Sequence, residues 1–187
     1  MQKPKNYDNT PVQEGFEPLK LGGHVCKIVK LEETKSKTGK DMLKIALDIA
    51  DGEQKDYYKQ RFDNDTRTEK KWGCVVYILV EDNEGNTNRA FKTFIDSVEK
   101  SNGGFTVKWG EDFGKQFKGK LVGGVFGREE YINSNNESKF ATKCRYFTTI
   151  DRVRKGIEPP KDKLLQNKST FPGYEPTQED ESDDLPF

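Results

Sequence analysis

The segment MLKIALDI (Met42–Ile49) alternates without a break. Leu43, Ile45, Leu47 and Ile49 fall on one face, and Lys44, Ala46 and Asp48 on the other. A two-residue period with one apolar face predicts a half-buried strand of an antiparallel sheet. Upstream, LGGHVCKIVKLEET (Leu21–Thr34) is rich in β-branched and apolar residues. There the adjacent Ile28 and Val29 interrupt the alternation, which predicts a bulge or bend. KSKTGK (Lys35–Lys40) lies between the two and supplies a turn at Gly39, so the pair reads as a hairpin with a basic tip.

On the C-terminal side, Asp51-Gly52 opens another turn and DYYKQRF (Asp56–Phe62) reads as a third strand, followed by loop-like TRTEKKWG (Thr66–Gly73). CVVYILV (Cys74–Val80) is an apolar run that fits a buried strand and the start of a helix equally. NTNRAFKTFIDSVEKSNGG (Asn86–Gly104) predicts an amphipathic helix, because Phe91, Phe94, Ile95 and Val98 recur at helical spacing. Asn86 or Asn88 is placed to cap its start, and Gly103 to end it in the left-handed conformation. Two more strands are expected. GKLVGGVFGREEY (Gly119–Tyr131) has glycines where a coiled strand bends, and KFATKCRYFTTIDRV (Lys139–Val153) follows the NSNNES turn. Strand, strand, strand, helix, strand, strand is the element order of an OB-fold. The expected fold class is therefore mainly β: a five-stranded Greek-key barrel with one helix between strands three and four.

Composition divides the chain. A length of 187 residues suits one domain with tails, and charged residues (34%) outnumber hydrophobic ones (32%), which points to a modest core. Residues 1–18 are polar and read as a flexible arm, 19–155 as the folded domain, 156–177 as a linker, and 178–187 as an acidic tip. A net charge of zero conceals an asymmetry. Residues 169–187 hold six acids and no Lys or Arg, which leaves 26 acids against 32 bases in residues 1–168. A basic body attracts polyanions. No apolar run approaches the ~20 residues of a membrane span, and the start lacks the apolar stretch of a secretory signal. Three separated cysteines, Cys26, Cys74 and Cys144, fit a reducing cytoplasm, and the single histidine, His24, makes a metal site improbable.

Signatures of catalysis are missing: there is no P-loop, no nucleophile elbow and no zincin motif. No cofactor and no enzymatic activity are expected. Binding to single-stranded nucleic acid requires bases for phosphates beside aromatic faces for stacking, and three segments combine them. The hairpin contributes Lys37, Lys40 and Lys44. The third expected strand aligns Tyr57, Lys59 and Arg61. The last aligns Lys143, Arg145 and Phe147, with Arg128, Tyr131 and Lys139 flanking the turn before it. Trp72, next to Lys70 and Lys71, is a further stacking candidate.

The ending DESDDLPF resembles the acidic tip of bacterial single-stranded DNA-binding proteins, which finish Asp-Asp-hydrophobic-Pro-Phe. Asp183, Asp184, Leu185, Pro186 and Phe187 occupy that motif, with Leu where Ile is usual. IDSVEKSNGG, KGKLVGGVFGREEY and KCRYFTTIDRVRKG resemble the phage- or prophage-encoded members of that group, over roughly residues 10–165. The resemblance implies a DNA-coating protein of the bacterial host cytoplasm whose tip recruits replication, recombination or repair proteins, and it leaves room for a homo-oligomer. An adaptor that presents such a tip, and an RNA-binding OB module, remain open alternatives.

Overall fold

The hairpin read around Met42–Ile49 lies at the centre of the sheet. The structure, a computed structural model, describes residues 2–9 and 17–165. In it β1 (Gly22–Lys35), β2 (Asp41–Ile49), β3 (Val75–Leu79), β4 (Leu121–Ile132) and β5 (Ser138–Thr148) form one antiparallel sheet in the order β3-β2-β1-β4-β5. No ladder joins β3 to β5 among the described residues, so the sheet curves without closing into a barrel. The expected bulge is present. Ile28 pairs with Leu47 and Lys30 with Ala46, which makes Val29 the extra residue. That insertion restores the register, and Leu31 returns to the inner face beside Ile45.

Between β3 and β4 runs α2 (Arg89–Ser101), the expected helix. The Asn88 side chain accepts the Ala90 N–H at 2.8 Å and caps its start. Phe91, Phe94, Ile95 and Val98 are all buried, each worth roughly 1.5–3 kcal/mol of apolar transfer. The expected left-handed stop at Gly103 is not there. Asn102 terminates the helix instead, donating to the Val98 and Leu121 carbonyls at 2.7 Å each and accepting the Leu121 N–H at 3.0 Å. One side chain thus ends α2 and ties it to the start of β4. The positive φ falls one residue later than expected, at Gly104.

Two segments differ from the sequence expectation. DYYKQRF is not a strand but α1 (Tyr57–Asp63), and the third strand is supplied by Val75–Leu79. Tyr57, Tyr58, Arg61 and Phe62 satisfy helical spacing as well as aromatic–basic alternation, and seven residues are too few to separate the two periods. The deciding contact is non-local. Asp48 of β2 is 1% exposed, and its Oδ1 accepts the N–H groups of Tyr58 (3.0 Å) and Ile49 (2.9 Å). It caps a helix whose own preceding residue, Asp56, offers no side-chain bond. Beyond β5, the strand expected to reach Val153 stops at Thr148. Thr149 then caps α3 (Ile150–Arg154) by accepting the Arg152 N–H.

α3 lies on the outer side of the sheet, and glycine makes this approach possible. A Cβ on Gly123 would fall 2.7 Å from Val153 and 2.8 Å from the Thr148 carbonyl. The expected linker also begins differently: Ile157 packs on Gly23, and Pro160 lies against Gly127. The acidic tip and the rest of the linker lie outside the described residues.

Desolvation raises the Asp48 carboxyl above its ordinary range, and the backbone N–H groups only partly oppose this. A raised folded pKa favours folding at pH values below the unfolded pKa, and this contribution is lost as pH rises through the folded value. Asp48→Asn, which keeps an acceptor without the charge, should therefore gain most over wild type in urea melts at pH 7. The gain should shrink as pH falls toward 4. Asp48→Ala should lose about 1–3 kcal/mol at either pH, because the Tyr58 N–H is left without its partner.

Candidate nucleic-acid interface

The strand pleat turns one row of side chains away from the core on β1, β2 and β3. Val29, Lys30 and Glu32 come from β1, Lys44 and Ala46 from β2, and Val75 from β3. α1 adds Phe62 along one side, the connection from α1 to β3 adds Lys70, Lys71 and Trp72, and together these residues line a shallow groove. Trp72 is oriented by its indole, which donates to the Leu47 carbonyl at 2.7 Å. The Phe62 ring packs 5.5 Å from it, and the Lys70 ammonium sits 5.6 Å from the Phe62 ring centroid. Trp72 and Phe62 therefore form a supported aromatic pair.

Four lysines and one carboxylate, Glu32, line this groove. Lys30 and Lys44 lie 2.5 and 3.5 Å from Glu32. The hydrogen bond from Lys30, with the Lys44 charge behind it, holds Glu32 below the usual carboxylate range against some desolvation. One carboxylate is shared by two ammonium groups, so the groove keeps a positive excess. That combination suits an anionic chain carrying planar rings.

Of the residues expected from sequence, Lys44 and Trp72 meet in the groove. Lys30 and Phe62 are absent from the expected set. The hairpin register, which places Lys30 opposite Ala46 and Glu32 opposite Lys44, was the signal available for Lys30. Phe62 required the helix. At the hairpin tip Lys37 is exposed, whereas Lys40 is committed to the loop after β3 through the Asp82 carbonyl (3.2 Å) and Asn83 Oδ1 (2.6 Å).

Two expected stacking residues are core instead. The Tyr57 hydroxyl accepts the Leu19 N–H at 3.2 Å, and its ring is buried against Tyr58. Phe147 packs 4.9 Å from Phe94. Its reversal comes from the pairing with β4: Cys144 pairs with Phe126 and Tyr146 with Val125, so Arg145 is a bulged residue and the faces exchange beyond it. Phe147 turns inward while Tyr146 is 44% exposed. Lys59 sits on the solvent side of α1, paired with Asp63.

Apart from Arg61 of α1, the remaining candidates gather on the β4–β5 hairpin, which runs past the end of β1. Arg128 stacks over Phe140 at 5.4 Å. Tyr131 and Phe140 are exposed, and Lys139 pairs with Glu137 at 3.1 Å. Lys143 lies 3.5 Å from Glu129, and the Arg145 guanidinium donates to the Arg128 carbonyl at 3.3 Å. Partial burial acts to raise the Glu129 carboxyl. The hydrogen bond from Lys163 and the charges of Lys143 and Arg145 outweigh it and hold the group below its ordinary value. Arg61, beside the Tyr57 ring, and Phe140 line a recess between α1 and β5. Groove and recess flank the same support, since Phe62 and Trp72 line the first while Tyr58, Arg61 and Gly73 line the second.

The described residues contain no group of three or more His, Cys, Asp or Glu able to hold a metal ion. Nor is any helix among them long and apolar enough to cross a membrane. The cysteines are free thiols, and burial pushes Cys74 up to about 12, far from a reactive thiolate at neutral pH.

A family profile described as "Protein of unknown function (DUF669)" matches residues 5–136, and the chain belongs to that family. The matched span takes in β1 to β4 and every residue of the groove, and stops in the turn before β5. No curated protein matches the chain.

Tyr57→Ala should lower unfolding free energy by about 3–5 kcal/mol, the cost of emptying a buried aromatic site. Its measurement is a urea melt followed by circular dichroism. A stable variant would return Tyr57 to the list of surface candidates.

Proposed function

We propose that this protein is a non-enzymatic single-stranded DNA-binding protein. In this reading it coats single strands during replication or recombination and recruits partner proteins through Asp183–Phe187, which lie outside the described residues. The observation that carries the reading is the groove, where the Phe62–Trp72 pair and four lysines share one sheet face. Bases stack on such rings irrespective of sequence, while ammonium groups follow the phosphates.

The fold supports it as well. The order β3-β2-β1-β4-β5 is the order of a five-stranded Greek-key barrel opened between β3 and β5, with α2 in the position of the inter-strand helix. We therefore assign it an OB-type architecture. OB-folds take oligonucleotides across the face of strands two and three and between the loops joining strands one–two and four–five. Here that face is the groove. The β1–β2 tip carries Lys37, and the β4–β5 hairpin carries Arg128, Tyr131, Lys139, Lys143 and Arg145. A strand entering along Lys30 and Lys44 would pass the Phe62–Trp72 pair before meeting the recess at Arg61 and Phe140.

Titration with a fluorescent dT oligonucleotide at several salt concentrations tests the reading. Salt-sensitive binding is expected, and Lys44→Ala and Lys70→Ala should each lower the salt slope by about 0.7. Phe62→Ala should cost roughly 1–3 kcal/mol of binding with little salt dependence. Equal affinity for rU would widen the ligand to single-stranded nucleic acid in general. Absence of binding to either oligonucleotide would refute the proposal.

A further inference from the structure

The ladder between β1 and β4 covers only Leu121–Phe126 of β4, so the backbone of Gly127–Ile132 extends past β1 on that side. The segment after α3 occupies part of this edge. Lys163 donates its N–H to the Arg128 carbonyl at 2.9 Å, and Glu130 donates its N–H to the Lys163 carbonyl at 2.8 Å, forming one parallel bridge. Beside it the Asp162 carboxylate takes both Nε (3.0 Å) and Nη2 (2.7 Å) of Arg128. A two-point grip on guanidinium is also the geometry of a phosphate.

We propose that Lys161–Leu165 is a displaceable latch. Asp162 holds, in the free protein, the position on Arg128 that a backbone phosphate takes when single-stranded DNA is bound. The inference rests on the DNA-binding reading above and assigns a regulator to the same surface.

The attachment is graded along the segment. Ile157 and Pro160 are packed against Gly23 and Gly127, where a Cβ would meet them at 3.4 and 2.6 Å, so the base of the latch is fixed. Beyond Pro160 the hold consists of two backbone hydrogen bonds, partly solvated ion pairs and the Leu165 N–H on Glu130. Leu164 and Leu165 are 61% and 44% exposed, so little apolar burial opposes release. Partly solvated ion pairs contribute modest net stability, and the two-point Arg128–Asp162 pair is the strongest of them here. A phosphodiester chain that brings several charges at once can therefore replace a single carboxylate. Lifting the latch would also uncover the β4 edge and free Lys163 from Glu129.

Binding of a dT oligonucleotide at low salt should be compared for wild type, Asp162→Asn and Glu158→Gln. Glu158 is exposed in the same segment, so its substitution removes an equal charge without touching Arg128. Asp162→Asn should bind several-fold tighter than Glu158→Gln, because its Arg128 takes the phosphate without first giving up a carboxylate. The gain should vanish when Arg128→Ala is added. Hydrogen exchange should speed up at residues 161–165 in Asp162→Asn, and in wild type when DNA is added. Equal affinities of the two charge variants, or a gain that survives Arg128→Ala, would overturn the latch while leaving DNA binding intact. Failure of every form to bind dT would instead overturn the underlying reading and the latch with it.

Discussion

Asp48 accepts the Ile49 and Tyr58 N–H groups from within the core, and the position of α1 follows from that arrangement. A seven-residue helix cannot sustain itself in water, because nucleation costs more than its few internal bonds return. Anchored on β2, α1 can insert Tyr57 and Tyr58 below and present Phe62 above. Tyr58 stacks 6.4 Å from Phe126 of β4, and a Cβ on Gly73 would come within 2.9 Å of its ring. Gly73 thus lets the chain pass close over the tyrosine, and the next bonds are set: the Trp72 indole on the Leu47 carbonyl, and the Leu47 N–H on the Cys74 carbonyl. The buried carboxylate, the helix and the aromatic pair form one connected support.

This support explains why the groove lies where it does. The inner rows of β1 and β2 are apolar and fully committed to the core, so ligand chemistry must come from the outer rows and from whatever the connections place beside them. β1 and β2 supply Lys30, Glu32 and Lys44, but no ring. The rings arrive on α1 and on the connection from it to β3, whose path Asp48 constrains. The β4–β5 hairpin is a different kind of surface. Most of its bases already face a carboxylate, as Arg128 does Asp162 and Lys143 does Glu129. On the proposed reading, anion binding there depends on what those carboxylates can be made to release.

Local patterning carried much of the fold. Met42–Ile49 and Phe91–Val98 each show one period over enough residues to exclude the other, and both form as read; even the Val29 bulge is visible in an interrupted alternation. The misreadings share a cause, since each depends on partners distant in the chain. DYYKQRF becomes helical through a cap 10 residues upstream. Phe147 faces inward because Arg145 bulges against β4, which no feature of KFATKCRYF announces. The site was legible in proportion. Lys44 follows from a strand read correctly, and Trp72 from its basic neighbours, whereas Tyr57 and Phe147 inherit the errors of their elements. Asp183–Phe187 carry the recruiting half of the proposal on sequence alone.

The central claim is that the outer face of β1–β2–β3 receives the bases of a single strand. Photo-crosslinking of a 5-iodouracil-substituted dT oligonucleotide, with peptides located by mass spectrometry, tests it most directly. The account predicts adducts at Phe62 or Trp72, the aromatic pair of the groove. Trp109 is 69% exposed on a different part of the molecule and serves as an internal comparison for chance contact. Adducts confined to Trp109, or to the exposed side of α2, would contradict the claim.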